Sequence, residues 1–128
     1  LILQLVVIIE QGLQQKAGDD IGDTLTLVQK TIDRMGWVEL SPGKVARDLG
    51  CSLDHLNRLL RAESGKTVGG VITDLRLEES RRWLIETNET GGEIALHVGI
   101  EDQNYFSRWF RKHIGNTPQG WRGAHKNL

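Results

Sequence analysis

Apolar residues along this chain recur with the period of an α-helix in several separate segments. The first clear stripe consists of Leu25, Val28, Ile32 and Met35. Successive members are three or four residues apart, so they lie on one helix face. Thr24 is expected to cap this helix, which should end near Gly36. Glycine, serine and proline separate later stripes, so the pattern predicts an all-α chain with short turns.

Residues 92–122 contain two such stripes with a glycine between them. The first stripe is Ile94, Ala95 and Val98, and the second is Phe106, Trp109 and Phe110. Gly99 stands where the chain reverses and positive φ is favoured, and Asp102 is placed to cap the second helix. The arrangement predicts a helix-turn-helix motif whose second helix leaves a polar face exposed. We expect the aromatic residues here to form core: Tyr105, Phe106, Trp109, Phe110 and Trp121.

An upstream segment repeats this arrangement almost residue by residue. Ala46 and Ala95, Leu49 and Val98, Gly50 and Gly99, and Cys51 and Ile100 are 49 residues apart. Leu56 and Phe106, Arg58 and Arg108, Leu60 and Phe110, and Gly65 and Gly115 are 50 apart, so one extra residue near Glu101 lengthens the second turn. Ser41 and Pro42 are expected to open the first helix, and Ser52 to cap the second as Asp102 does. A matched pair is far less common by chance than a single motif.

A long amphipathic helix is predicted between the two motifs, at about residues 68–87. Its apolar positions are Val71, Ile72, Leu75, Trp83 and Leu84. At about 1.5 Å per residue this helix spans about 30 Å, which is close to the length of one turn of B-DNA, about 34 Å. We therefore expect it to place the two motifs one helical turn apart along a duplex.

These residues resemble the DNA-binding module of the AraC/XylS transcription regulators, which carries two helix-turn-helix motifs in tandem. The resemblance covers roughly residues 25–122 and is most specific in NYFSRWFRKHIGNTPQGWR, from Asn104 to Arg122. EIALHVG before it and RLEESRRWL between the motifs add to it. The chain departs from the family's usual residues at Leu60, Ser80, Gly91 and Ile100. The resemblance implies two homeodomain-like three-helix subdomains joined by a long central helix.

The domain organisation follows from this resemblance. Residues 1–23 are expected to be the end of a preceding sensor or dimerisation region with its linker, and residues 24–126 the DNA-binding domain. The motifs should span about 42–61 and 91–112.

Leu1 to Ile9 is apolar but too short for a transmembrane span of about 20 residues. It is either the last element of a preceding domain or, by resemblance, a helix that pairs subunits in a homodimer, and both can hold. The chain starts without methionine or a basic leader, so no signal peptide is expected and it resembles a fragment of a longer protein.

Charge is distributed unevenly although the formal net charge is only −1. Residues 1–40 carry three basic and six acidic side chains, whereas residues 41–128 carry thirteen basic and eleven acidic ones. The motif region is thus only weakly basic. Affinity for DNA must therefore depend on where the charges are placed rather than on bulk charge.

Amide and guanidinium groups on the outward faces of the second helices can pair with base edges in a major groove. Candidates for base contact are Asp54, Asn57, Arg58, Arg61, Gln103, Asn104, Ser107 and Arg108. Asp54 could accept a hydrogen bond from cytosine or could simply stabilise the start of its helix. Candidates for phosphate contact are Lys44, Arg111 and Lys112.

No catalytic, metal or cofactor site is predicted. The four histidines lack the HExxH spacing of a metalloprotease, and the single Cys51 cannot build a zinc site or an internal disulfide. A buried thiol in a reducing cytoplasm fits Cys51 best. The predicted function is sequence-specific binding of double-stranded DNA as part of a larger bacterial transcription regulator with an activating role, with RNA polymerase as a further partner and no membrane association. The alternative is a protein-interaction module of the same fold that contacts RNA polymerase or another regulator without reading DNA.

Overall fold

The computed structural model describes residues 23–126, and the regular structure in that range is entirely helical. The helices are α1 (Asp23–Met35), α2 (Pro42–Asp48), α3 (Leu53–Ser64), α4 (Val68–Glu86), α5 (Gly91–His97), α6 (Gln103–Ile114) and α7 (Pro118–His125). No strand occurs between residues 23 and 126, so the all-α prediction is confirmed. The predictions for the dimerisation segment and most of the linker concern residues 1–22 and lie outside the described residues.

The chain divides into two compact units, and the boundary falls inside α4 between Thr73 and Asp74. In the first unit, α1 packs on α2 and α3, and α2 packs on α3. Its buried apolar residues are Val28, Ile32, Leu40, Val45, Ala46, Leu49, Leu56, Leu60, Val68, Val71 and Ile72. Glu63 on α3 accepts a hydrogen bond from the Thr24 amide at 2.9 Å and so satisfies an amide in the first turn of α1.

The second unit has its own core around two phenylalanines. Phe106 and Phe110 are fully buried together with Leu77, Leu84, Ile94, Ala95, Val98 and Ile100. Trp83, Trp109, Ile114 and Trp121 pack against this cluster and are partly buried. Two small cores therefore replace one larger core, and each supports one helix-turn-helix motif.

Two sequence predictions about helices α1 and α4 are wrong in detail. Thr24 is buried inside α1, which begins at Asp23, so Thr24 does not cap it. Leu75 was expected among the apolar positions of α4, but it is only half-buried. Leu77 on the same helix is buried instead. The reason is that α4 supplies residues to two cores, so no single apolar face continues along its whole length.

Helix α7 follows the second motif where the sequence predicted only a proline-punctuated exit. Thr117 caps α7 by accepting a hydrogen bond from the Gly120 amide at 3.1 Å, and Pro118 occupies the first turn. Arg122 on α7 donates from Nε to the carbonyl of Leu84 at 3.0 Å and from Nη2 to that of Glu89 at 2.7 Å. Helix α7 therefore satisfies carbonyl groups at and beyond the end of α4.

Candidate nucleic-acid interface

The turns of the two motifs have the same backbone geometry. Gly50 has φ of 76° and Gly99 has φ of 84°, both in the left-handed region. In the first turn the Gly50 amide donates to the Arg47 carbonyl at 3.0 Å, and the Cys51 amide donates to the Ala46 carbonyl, also at 3.0 Å. The equivalent bonds of the second turn join Gly99 to Leu96 at 3.1 Å and Ile100 to Ala95 at 2.8 Å. This pair of bonds is the Schellman pattern, which confirms the predicted role of both glycines.

The second helix of each motif, called the recognition helix below, is capped as predicted. Ser52 accepts a hydrogen bond from the His55 amide at 3.1 Å at the start of α3. Asp102 accepts from the Asn104 amide at 2.8 Å and from the Tyr105 amide at 3.2 Å at the start of α6. Four residues separate α2 from α3, and five separate α5 from α6, so the extra residue does lengthen the second turn.

The first recognition helix, α3, buries Leu56 and Leu60 and presents a charged outer face. Asp54, Arg58 and Arg61 are exposed on it. The Arg58 guanidinium is 3.5 Å from Nδ1 of His55, a contact at the limit of hydrogen bonding that leaves most of its donors available. Leu59 on the same helix is half-buried.

Asn57 was predicted to lie on the outward face of α3, but it does not point outward. Its side chain is half-buried, and its Oδ1 accepts a hydrogen bond from the Val68 amide at 2.9 Å, at the first residue of α4. Thr67 accepts from the Gly70 amide at 3.1 Å in the same turn. Asn57 thus stabilises the start of the connecting helix, and a base contact by Asn57, which stays a prediction, would compete with this bond.

The second recognition helix, α6, carries basic but no acidic side chains. Phe106 and Phe110 fix its orientation by complete burial. Five of the candidate contact residues are exposed on it, namely Gln103, Asn104, Arg108, Arg111 and Lys112, whereas Ser107 is half-buried. Helix α3 by contrast contains Asp54 and Glu63. Of the two recognition helices, α6 therefore has the stronger positive potential for a phosphate backbone.

Tyr105 is exposed, so the prediction that it belongs to the core is wrong. Its exposed fraction is 51%, because one residue corresponds to about 100° of helix and Tyr105 points well away from Phe106. With Arg108, Trp109, Lys112 and His113 it lines a shallow cleft of about 350 Å³ on α6. Tyr105, Arg108 and Lys112 are three and four residues apart, a spacing from which this stripe could have been predicted.

Two arginines that the sequence analysis did not single out support the second motif. Arg76 on α4 donates from Nε to the carbonyl of Val98 at 3.0 Å, just before the turn glycine. Burial lowers the pKa of Arg76, although a guanidinium remains charged at neutral pH. Arg122 supports the segment before α5 through the carbonyls of residues 84–89 described above. Neither role shows a local sequence signal, because each contact joins residues more than 20 positions apart.

Lys44, a predicted phosphate contact, forms an ion pair with Glu39 at 2.9 Å. The hydrogen bond from Lys44, together with its charge, lowers the pKa of Glu39. Because both side chains are exposed, solvent screens this pair and it contributes little to stability. A phosphate group could therefore compete for Lys44, and its proposed contact stays a prediction.

No group of three histidine, cysteine or carboxylate side chains between residues 23 and 126 is arranged to hold a metal ion. No helix in the same range is both long and apolar enough to cross a membrane. Cys51, predicted to be buried, is half-buried.

A family model described as "Helix-turn-helix domain" matches residues 45–124. The transcriptional activator NphR from Rhodococcus sp is 29% identical over 127 residues, which is 97% of this chain and 38% of NphR. The C-terminal domain of the two-component response regulator yesN from Fusobacterium nucleatum superposes with a TM-score of 0.72 and 26% identity, over 78% of this chain and 98% of that one.

The DNA-binding domain of AdpA, a global transcriptional factor solved in complex with a target DNA, has a TM-score of 0.69 over 81% of this chain and 93% of that one. At 19% identity this likeness shows the fold alone. The chain spans less than half of the length of relatives such as NphR. The two matched turns, the helical fold and these relatives together show that the chain belongs to the AraC/XylS family of helix-turn-helix DNA-binding domains of transcription regulators.

Proposed function

We propose that the chain binds double-stranded DNA sequence-specifically, with α3 and α6 as the helices that enter the major groove. The observation that carries this proposal is the pair of matched turns. Each ends in a capped helix that buries one face and exposes polar and basic side chains on the other. A capped helix of this kind fits the major groove, where guanidinium and carboxamide groups distinguish base pairs.

Within α6 the exposed side chains divide by chemistry into two roles. Gln103, Asn104 and Arg108 are assigned to base edges, because carboxamides pair with adenine and a guanidinium pairs with guanine. Arg111 and Lys112 are assigned to phosphates, which fix the register of the protein on the duplex. The cleft that Lys112 shares with Tyr105 and His113 extends this phosphate-contacting surface.

Within α3, Arg58 and Arg61 are the principal contacts. Asp54 lies in the first turn of this helix, where a negative charge stabilises the N-terminus whether or not it also meets cytosine. Because α3 carries two acids and α6 none, α6 is expected to supply the larger share of the salt-dependent affinity.

The chain acts in this proposal as the DNA-binding part of a larger bacterial regulator. Relatives such as NphR are named transcriptional activators and are more than twice as long as the matched segment. Activation through contact with RNA polymerase is also part of the proposal. Pairing of two subunits through residues 1–23 also belongs to the proposal.

The test is to select a preferred duplex from random sequences and to measure its affinity for variants of the 128-residue chain at fixed salt. Arg58→Ala and Arg108→Ala should each cost about 1 to 3 kcal/mol and relax the base preference at one position. Lys112→Ala should weaken all sequences alike and reduce the salt slope by about 1. Lys30→Ala, which removes an exposed charge from α1, is the matched control and should change neither property.

Two outcomes would contradict parts of this proposal. Unchanged affinity and preference in both arginine variants would mean that α3 and α6 are not the recognition helices. A chain that binds no duplex even at low salt would instead support the alternative function, in which the same fold contacts RNA polymerase or another regulator without reading DNA.

A further inference from the structure

Helix α5 begins with two adjacent glycines that its backbone does not require. Neither Gly91 nor Gly92 has positive φ, so any L-residue could adopt this conformation. Glycine is one of the poorest residues for a helix, and alanine at the same position favours the helix more. The start of α5 is stabilised instead by a capping box, in which Thr90 accepts from the Glu93 amide and the Glu93 carboxylate accepts from the Thr90 amide, both at 3.1 Å.

The space left by the missing side chains is occupied by Gln103, the first residue of α6. A β-carbon at Gly92 would lie 3.0 Å from Oε1 and 3.4 Å from Cδ of Gln103. A β-carbon at Gly91 would lie 3.6 Å from Nε2 of the same side chain, which is an ordinary contact distance. The Gln103 carboxamide therefore rests on the backbone of α5, and only at Gly92 does its position depend on the absence of a β-carbon.

Gln103 is an exposed side chain, and it takes this position because Gly92 leaves the space open. A β-carbon at Gly92 would displace its carboxamide by a few tenths of an ångström. Bidentate pairing with N6 and N7 of adenine depends on orientation, so such a displacement would weaken it.

We propose that Gly92 is a specificity-determining positioning residue, which leaves room for the Gln103 carboxamide in the orientation that selects adenine at one base pair of the second half of the site. The inference rests on the proposed function, in which α6 reads bases. Gly92 itself touches no base. It acts only through Gln103, and a glycine needed merely for folding would not have this property.

The experiment measures base preference at each position of the selected duplex for the wild-type 128-residue chain and five variants. Gly92→Ala should reduce the preference for adenine by roughly fivefold or more, the low end of what one bidentate pair provides. Gln103→Ala should remove preference at the same base pair. The double variant should match Gln103→Ala, because the effect of Gly92 passes through that side chain.

Two matched controls separate positioning from folding. Gly91→Ala adds the same methyl group one residue earlier at an ordinary contact distance, and it should keep the wild-type preference. Gly123→Ala, in α7 with open space around it, should also keep it. The melting temperature of Gly92→Ala should equal or exceed that of wild type, since the flexible end of Gln103 yields and alanine favours the helix.

Three results would each overturn the inference. Gly92→Ala could keep the wild-type base preference, or its effect could add to that of Gln103→Ala in the double variant. The third is a melting temperature of Gly92→Ala below that of wild type. If Gln103→Ala changed no base preference while Arg108→Ala did, the inference would fail and the proposed function would stand. If neither Gln103→Ala nor Arg108→Ala changed the base preference, α6 would not read bases. The proposed function would then fail together with the inference.

Discussion

Replacing Gly99 by alanine is expected to destabilise the second unit by about 1 to 2 kcal/mol, which is the cost of placing an L-residue in the left-handed region. Gly99 has φ of 84°. Its amide and that of Ile100 donate to carbonyls of α5 at 3.1 and 2.8 Å. A substituted chain must either retain the strained φ or lose these two bonds. Gly99→Val should cost more, because a β-branched side chain is penalised further at positive φ.

Thermal unfolding followed by circular dichroism measures this cost. For a domain of 60 to 100 residues, 1 kcal/mol corresponds to a shift in melting temperature of about 4 to 8 °C, so Gly99→Ala should melt at least about 4 °C below wild type. Gly123→Ala is the control in the same unit. It lies in α7 without positive φ and with open space around it, so it should raise stability by about 0.4 to 1 kcal/mol.

The two variants thus make the same chemical change and are expected to shift stability in opposite directions. If Gly99→Ala melted at or above the wild-type temperature, Gly99 would not be held in the left-handed conformation, and the equivalence of the two turns would be lost. Equal destabilisation by both alanines would show that the effect is not specific to the turn.

Three further predictions concern capping, pH and the spacing of the DNA site. Asp102→Ala should lower the free energy of unfolding in urea by about 0.5 to 2 kcal/mol, because two amides of α6 lose their acceptor. Asp102→Asn should retain most of the stability. If both variants were as stable as wild type, the result would argue against the cap. Partial burial acts to raise the pKa of Glu79, but hydrogen bonds from His97 and Arg82 hold this pKa below its ordinary value of 4.5. The carboxylate therefore stabilises the fold above its unfolded pKa, and this stability is lost as pH falls through the folded value. Glu79→Gln should flatten the decline of melting temperature with acid, and an unchanged acid limb would refute that role. Inserting about 5 base pairs, half a helical turn, between the two halves of a selected site should reduce affinity to that of one motif; equal affinity would mean that one motif alone engages DNA.

The tandem motif could be predicted from the sequence because its signals are local. In each turn the glycine amide, of Gly50 or Gly99, donates to a carbonyl three positions earlier. The amide of the next residue donates to a carbonyl five positions before itself. Ser52 and Asp102 cap helices through amides two or three residues later. Such interactions depend on neighbours in the chain, so residue type and spacing are enough to indicate them.

The orientation of individual side chains was less predictable. Asn57 has the chemistry of a base-contacting residue, yet its oxygen accepts from the Val68 amide, 11 residues later. Tyr105 has the chemistry of a core residue, yet it is exposed beside Arg108 and Lys112. Periodicity gives the angle between side chains on one helix, but the direction of the buried face is set by the helices packed against it.

The sequence by itself determined the helices of the two motifs, the caps of their second helices, the two glycine turns and the tandem repeat, since each depends on interactions within a few residues. Only the tertiary structure decided how those elements are supported and which side chains remain exposed. Arg76 reaches the Val98 carbonyl across 22 positions, and Gln103 rests on Gly92 across 11. Contacts at such separations arise only when the packing of whole helices brings distant residues together, and no local pattern of residue types encodes that packing.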